Sequence, residues 1–459
     1  MLWRLRSYRR PQLHHVCSRT LARNAPSQRS LLTLAIETSC DDTSVAILEK
    51  HDGTTSASAR GSAATLHFHE KVTADTAAYN GIHPIIALES HQASLGPLLE
   101  KALKHLPQET AASKKKPDFV SVTRGPGMRS NLSVGLEAAK GLALAWQVPL
   151  LAVHHMQAHA LTPRLVSALE SPAGSLPQPS FPFLSLLVSG GHSMLIDSAG
   201  LVEHSILAST TDIALGDCLD KAARAILPPN LLVPPYGRAL EQFAFPNGAA
   251  DYAYAAPKNR ESELQRRPTR FGWSLGPPLA AGTGTSSSRK MAYSFSGLLS
   301  SIERFAKREI DPISGTLTKR LRVPEQLEED ERREMAREVM RVSFEHLASR
   351  VLLHLSSLTP EEKASIGALV VSGGVASNRY LRHVMRSFLN IRGFEHVRLH
   401  FPPIEFCTDN AAMIAWAGIE MWEAGWRSEL STRPIRTWSM DPSATDGGIL
   451  GVGGWIKAH

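Results

Sequence analysis

The sequence predicts an α/β protein with two sheet-centred lobes, and three observations carry that expectation. Apolar runs recur that each end in a small polar or glycine-rich turn: LLTLAI before residues 37–43, FPFLSLLV before 189–192, and GALVV before 372–374. Helix-period stretches alternate with them, notably 131–146 and a long charged one over 325–358. With 459 residues, 43% of them hydrophobic and 20% charged, the chain can bury two large cores.

Taken in order, residues 1–30 hold seven Arg and no Lys, Asp or Glu, with Leu2, Trp3, Leu5, Leu13, Val16 and Leu21 interspersed. That composition predicts a mitochondrial transit peptide and a matrix location. The rest of the chain has 43 basic and 43 acidic residues, so the formal charge of +7 resides in the leader. Any RNA contact must then come from local basic patches; the clusters at 114–116 and at Arg266, Arg267 and Arg270 lie in linkers and read as solvated loops, which leaves the RNA surface unassigned. The charge and the 32 Gly and 29 Pro exclude collagen, a coiled coil and a wholly disordered chain. No 18-residue apolar run exists, so no membrane insertion is expected.

After the leader, LLTLAI, its polar turn and SVAIL read as a buried hairpin, and the grammar repeats at 181–196 and 367–378. Glycine in such turns lets backbone N–H groups approach a phosphate or nucleoside closely. Their recurrence in both halves predicts a duplicated nucleotide-binding architecture. We place a first lobe at 31–162, a second at 181–400 with a low-complexity surface insertion at 246–290, and a C-terminal segment, 401–459, returning to the first lobe. Cys40, Cys218 and Cys407 lie far apart with no CxxC pair, so neither a disulfide framework nor a zinc-thiolate site is indicated.

The sharpest chemical signal is VHHMQAHAL. His155 and His159, spaced i, i+4, share one helix face about 6 Å apart at Cβ and can hold one metal. The zinc-protease pattern HExxH has a Glu general base directly after the first His; here Met156 and then Gln157 follow. The alternative reading is two partly exposed helix histidines. Asp409, in FPPIEFCTDNAAMIAWAG, is the best candidate for a third ligand, its alternative role being a helix N-cap. Two imidazoles and a carboxylate leave open positions and suit iron(II) or zinc.

Eight segments together resemble the universal tRNA threonylcarbamoyladenosine synthase family, in its mitochondrial branch. They are IETSCDDTSVAI, TRGPGMRSNLSVGLEAAKGLA, HHMQAHA, LLVSGGHSMLI, GDCLDKAAR, YSFSGL, VVSGGVASNRYLR and FCTDNAAMIAWAG, in the family's order. The resemblance implies the two-lobed fold of actin, Hsp70 and sugar kinases, with nucleotide and metal in the interlobe cleft. It implies transfer of a threonylcarbamoyl group from threonylcarbamoyl-AMP to N6 of the adenosine 3′ of the anticodon, in tRNAs reading codons that begin with A, with AMP released.

By position, His155, His159 and Asp409 match the family's ligands for one divalent metal ion, and Val188, Ser189, Gly190, Gly191 and His192 match the loop that holds the acyl-adenylate. Asp220 matches an acid at a ribose hydroxyl, Asn378 the adenine-side residue, and Gly237 and Glu241 a glycine and acid near the nucleoside, with Tyr236 replacing a second glycine. A mixed carbamoyl-phosphate anhydride is already activated, so the protein needs to orient it, offset charge on the leaving AMP and accept a proton. Asp41, with Asp42 second, is the expected proton acceptor, the alternative being turn capping. The resemblance further implies a homodimer and a separate enzyme supplying threonylcarbamoyl-AMP.

The chain departs from the family at Ile85 and Glu89, where Glu and Arg are usual, at Gln157, and at Leu298 and Leu299, where a Lys is usual. An ATP-binding chaperone or kinase of the same fold, and a metallopeptidase, are the competing readings.

Overall fold

The structure, a computed structural model, describes residues 30–52, 61–76, 83–280, 288–311, 316–323 and 326–458. The expected leader, 1–30, lies outside these residues except for Ser30. In chain order the main strands are β1 (Leu31–Glu37), β2 (Asp42–Lys50), β3 (Ala64–Thr73), β4 (Phe119–Gly125) and β5 (Leu150–His154). There follow β6 (Phe183–Val188), β7 (Ser193–Ser198), β8 (His204–Ser209), β9 (Ala368–Ser372) and β10 (Arg398–His400). Two short C-terminal strands, β11 (Trp426–Ser428) and β12 (Trp455–Lys457), complete the set.

One sheet has the order β12-β11-β5-β4-β1-β2-β3 and the other β8-β7-β6-β9-β10. The pairing logic is the same in both. β1 pairs antiparallel with β2 and parallel with β4, β2 antiparallel with β3, and β4 parallel with β5. In the second sheet β6, β7, β8, β9 and β10 repeat those relations one for one. The architecture is therefore duplicated, as the recurring strand-and-turn grammar predicts. β11 and β12 extend the free edge of the first sheet beyond β5.

The main helices are α1 (Pro84–Lys104), α2 (Arg129–Trp146), α3 (His155–Glu170), α4 (Leu215–Ile226), α5 (Tyr236–Ala244), α6 (Ser296–Lys307), α7 (Glu329–Ser357), α8 (Arg379–Ile391) and α9 (Ala411–Glu423). α1 and α2 cover one face of the first sheet through Leu95, Leu98, Leu136 and Ala139, which meet Leu34, Ile36 and Val122. On the other face α3 and α9 supply Leu161, Leu165, Met413 and Trp416 against Ala35, Ala46 and Phe119. That same core reaches Phe183 and Val370 of the second sheet, so α3 lies between the lobes. α9 is apolar on every side and buried throughout Ala411–Met421, as a helix enclosed by other elements must be. Helices α4 to α8 share the second lobe's core.

The segment 246–290, expected as a low-complexity surface insertion, is mostly exposed or half-buried among its described residues but is anchored at a few points. Trp273 is fully buried, and its indole N–H donates to Glu331 Oε1 at 3.2 Å. Tyr254 O–H donates to Glu345 Oε1 at 3.1 Å, and Arg267 pairs with the same carboxylate at 3.3 Å. The segment is thus stapled along the acidic face of α7. Its Gly, Ala, Ser and Pro content disguised the few aromatics and arginines that anchor it. Residues 281–287 lie outside the described residues.

Candidate metal centre and adjoining nucleotide loops

The chain passes from β5 directly into α3, and the junction decides which histidine does what. His154 ends the strand and caps the helix: Nδ1 accepts from Gln157 N at 3.3 Å and the Nε2 N–H donates to the Trp438 carbonyl at 3.2 Å. Burial holds its pKa down to about 3, so it is a neutral structural residue. His155 and His159 follow on one face with ring centroids 4.7 Å apart. Asp409 Oδ1 lies 3.1 Å from His159 Nε2 and 3.4 Å from His155 Nε2, and all three donor atoms fall within 4.8 Å of one another. Asn410, not Asp409, caps α9, its Oδ1 accepting from Met413 N at 3.0 Å. The capping alternative for Asp409 is therefore taken by its neighbour.

A residue that sequence reasoning missed stands behind His155. Glu37, the last residue of β1, is fully buried; its carboxylate accepts from Ser39 N at 2.5 Å and from the Thr123 hydroxyl. Oε2 lies 3.3 Å from His155 Nδ1, as does Ser39 Oγ. A carboxylate on Nδ1 fixes the tautomer and turns Nε2 toward Asp409 and His159, which is how metal-binding histidines are oriented. The available signal was an acid ending a wholly apolar strand, since a fully buried carboxylate must have a partner.

The electrostatics agree. Burial alone would depress His155, but the charges of Asp409 and Glu37 override it and push its pKa up to about 10. Burial would likewise raise Asp409, yet His155 and His159 hold it well below the usual carboxylate range. Without a metal the centre thus stores a proton on His155 between two carboxylates. A divalent cation can replace that proton, and the donor set of two imidazole nitrogens and a carboxylate oxygen fits a transition metal.

Asp41 lies on the turn between β1 and β2. The turn is pinned by Asn131, whose amide N–H donates to the Cys40 carbonyl at 2.7 Å, and by His91, whose ring nitrogen meets the same oxygen at 3.0 Å. Burial, then the nearby Asp42 charge, raises the Asp41 pKa. Asp42 is differently placed: Lys71 Nζ reaches its Oδ2 at 2.8 Å and the Thr73 hydroxyl donates to Oδ1.

Opposite, the β6–β7 turn carries Ser189 to His192. Ser189 Oγ accepts from the N–H groups of Gly191 (3.3 Å) and His192 (3.0 Å), so two turn amides face inward. Gly190 and Gly191 are exposed with open space where a Cβ would stand. His192 keeps solvent access, yet crowding and then the charges at His155 and His159 lower its pKa, which puts this loop in the field of the metal centre. Two close approaches hold the loop. A Cβ on Gly216 would lie 2.7 Å from the Ser189 carbonyl oxygen, and one on Gly373, at φ +96°, 2.3 Å from that of Val188.

Asp220, Gly237, Glu241 and Asn378 form a second group, deeper in the second lobe. Asp220 Oδ1 accepts from Gly237 N at 3.0 Å. Glu241 Oε1 accepts from the N–H groups of Arg379 (2.7 Å) and Tyr380 (3.0 Å), the first residues of α8. Asn378 is buried and caps the same helix, its Oδ1 accepting from Leu381 N at 2.9 Å. Burial raises both Asp220 and Glu241.

Residues 67–416 match the family model of TsaD, the tRNA N6-adenosine threonylcarbamoyltransferases. The chain belongs to the TsaD family. It is 36% identical over 435 residues to the mitochondrial tRNA N6-adenosine threonylcarbamoyltransferase of Schizosaccharomyces pombe, covering 94% of this chain and 90% of that one. It is 34% identical over 423 residues to the tRNA N6-adenosine threonylcarbamoyltransferase of a Chelativorans species, 92% of this chain and 97% of the other. Among solved structures, HypF of T. kodakarensis is similar at 12% identity and TM-score 0.42, over 86% of this chain and 48% of that one. Membership makes the protein a transferase acting on N6 of adenosine in tRNA, and sets the chaperone, kinase and peptidase readings aside.

Of the departures from the TsaD pattern, those at Leu298, Leu299 and Gln157 have a local setting. Leu298 and Leu299 stand where a Lys is usual because that turn of α6 is buried in the second lobe's core. Gln157 is buried, its side-chain N–H donating to the Leu201 carbonyl at 2.8 Å. Ile85 and Glu89, on α1, are exposed.

Proposed function

We propose that the protein transfers threonylcarbamoyl from threonylcarbamoyl-AMP to the adenosine 3′ of the anticodon in mitochondrial tRNAs reading codons that begin with A, releasing AMP. The observation that carries this reading is the gathering of the His155, His159 and Asp409 donor atoms within 4.8 Å of one another, with the Ser189–His192 turn near enough that the charges at His155 and His159 contribute to lowering the His192 pKa. An acyl phosphate needs that combination: a cationic centre and an amide-lined turn flanking one carbonyl.

In this reading the adenosine N6 attacks the carbamoyl carbon, the new C–N bond forms, and the C–O bond to phosphate breaks with its electron pair leaving on AMP. The amine proton passes to Asp41, whose raised pKa makes it the better base. Asp42 is committed to Lys71 and Thr73 and serves to hold the turn. Gly190 and Gly191, with open space where a Cβ would stand, allow the donor close approach, Val188 ends the strand, and Ser189 closes the turn on the amides of Gly191 and His192. Asp220 keeps Oδ2 for a ribose hydroxyl while Oδ1 is on Gly237; Glu241 and Asn378 fix the start of α8 beside the adenine. One divalent ion per subunit, iron or zinc, held by His155, His159 and Asp409, supplies Lewis-acid charge for the donor's oxygen atoms.

The basic leader and the mitochondrial relative support a matrix location. A homodimer as the working form and a separate synthase for threonylcarbamoyl-AMP complete the proposal. The test is a transfer assay with protein lacking residues 1–30, labelled threonylcarbamoyl-AMP and unmodified tRNA, beside Asp41→Asn. Label in tRNA with the parent protein, reduced at least about 100-fold in the variant at unchanged donor binding, is the expected result. No label with the parent protein overturns the reading; full activity of the variant removes Asp41 as base.

A further inference from the structure

Most side chains of the conspicuous basic clusters are engaged by the protein itself. Lys115 pairs with Glu49 at 2.8 Å, Lys114 Nζ donates to the Lys104 carbonyl at 3.1 Å, and Arg270 pairs with Asp330 at 2.9 Å. Arg129, Arg433 and Arg436 differ: all are exposed, and none has a carboxylate partner among the described residues.

Backbone pairing gathers these three on one rim. Ile435 N donates to the Arg124 carbonyl at 2.9 Å, and Gly127 N to the Arg436 carbonyl at 3.2 Å. The rim leads to the metal centre, since Met128 N donates to the Ser39 carbonyl at 3.0 Å and Ser39 Oγ lies 3.3 Å from His155 Nδ1. Its strap is rigid. Trp438 is buried, its indole N–H donates to the Gly448 carbonyl at 3.1 Å, and the Arg124 guanidinium stacks 5.5 Å from its ring while Nε donates to the Arg433 carbonyl at 3.2 Å. Unpaired guanidinium groups on a fixed frame bind phosphate with little ordering cost.

We propose that Arg129, Arg433 and Arg436 are the contact surface for RNA phosphates flanking the target adenosine. This rests on the tRNA-modifying reading above. The test is tRNA binding by the metal-loaded protein across a salt series, for the parent, the triple Arg→Gln variant and the triple Arg→Lys variant. Removing two to three phosphate contacts lowers the log–log salt slope by about 2 and weakens binding roughly tenfold or more. Donor binding and metal content stay at parent levels, and the Lys variant recovers most of the slope. An unchanged slope in the Gln variant overturns the surface while leaving the transfer reading intact. A change in oligomeric state with tRNA binding unaltered overturns it in favour of a protein interface. A parent protein that binds no tRNA overturns both.

Discussion

The candidate metal end and the proposed nucleoside end of the site are built on opposite principles. At the metal end Glu37, His155 and His159 are buried and Asp409 half-buried, and the charges of Asp409 and Glu37 push the His155 pKa up to about 10. At the nucleoside end, Glu241 and Asn378 satisfy one oxygen each on the amides that open α8, and Asp220 does the same on Gly237. One end is balanced only when a cation or a proton is present. The other is complete as folded, and Asp220 and Glu241 each keep a second carboxylate oxygen for a ligand. Substitutions at the first should therefore act through metal affinity, and at the second through helix-start stability and donor affinity.

The sharpest way to break that contrast is Asp409→Ala or His159→Ala. Losing an outer partner of a metal site costs 10- to 100-fold in affinity, so losing a direct ligand should cost more than about 100-fold and abolish transfer. Elemental analysis of the purified variants checks this. Glu37→Gln comes next: the amide oxygen still accepts from His155, but the charge is gone, and metal affinity should fall roughly 10- to 100-fold. Competition against a chelator measures it, and an unchanged affinity would reduce Glu37 to a packing residue.

A third test uses pH. The His155 pKa is raised from its usual 6.5 to about 10, so its contribution to folding is fully present below pH 6.5 and is lost as pH rises through about 10. Metal-free protein should melt at progressively lower temperature over that window, whereas saturating metal should flatten the dependence. The smallest effect is at the other end. Glu241→Gln keeps an accepting oxygen and loses only the charge at the helix start, so it should destabilise by about 0.5 kcal/mol with metal affinity unchanged; a loss of metal would mean the two ends are coupled.

The same contrast explains what the sequence made legible. The cluster of His155, His159 and Asp409 was legible because i, i+4 spacing is a property of the helix alone, and Asp409 stood at a helix start where Asn410 proved to be the cap. The duplicated sheets could be read because each key strand is apolar and ends in a glycine-rich turn. Glu37 was missed because its role depends on β1 lying beside β4 and against α3, a tertiary fact with no local pattern. Capping by Glu241 of a helix that begins at Arg379 is equally non-local. The anchors of the insertion, Trp273 foremost, were not legible because a few buried side chains are hidden in a loop-like composition.

The central claim is that the metal end requires a cation for the reaction. It is tested most directly by stripping the protein with a chelator and restoring iron(II) or zinc in steps while following transfer to tRNA. The account predicts no transfer at zero metal and a rise in proportion to metal up to one equivalent per chain. Transfer at the full rate by the metal-free protein would contradict it.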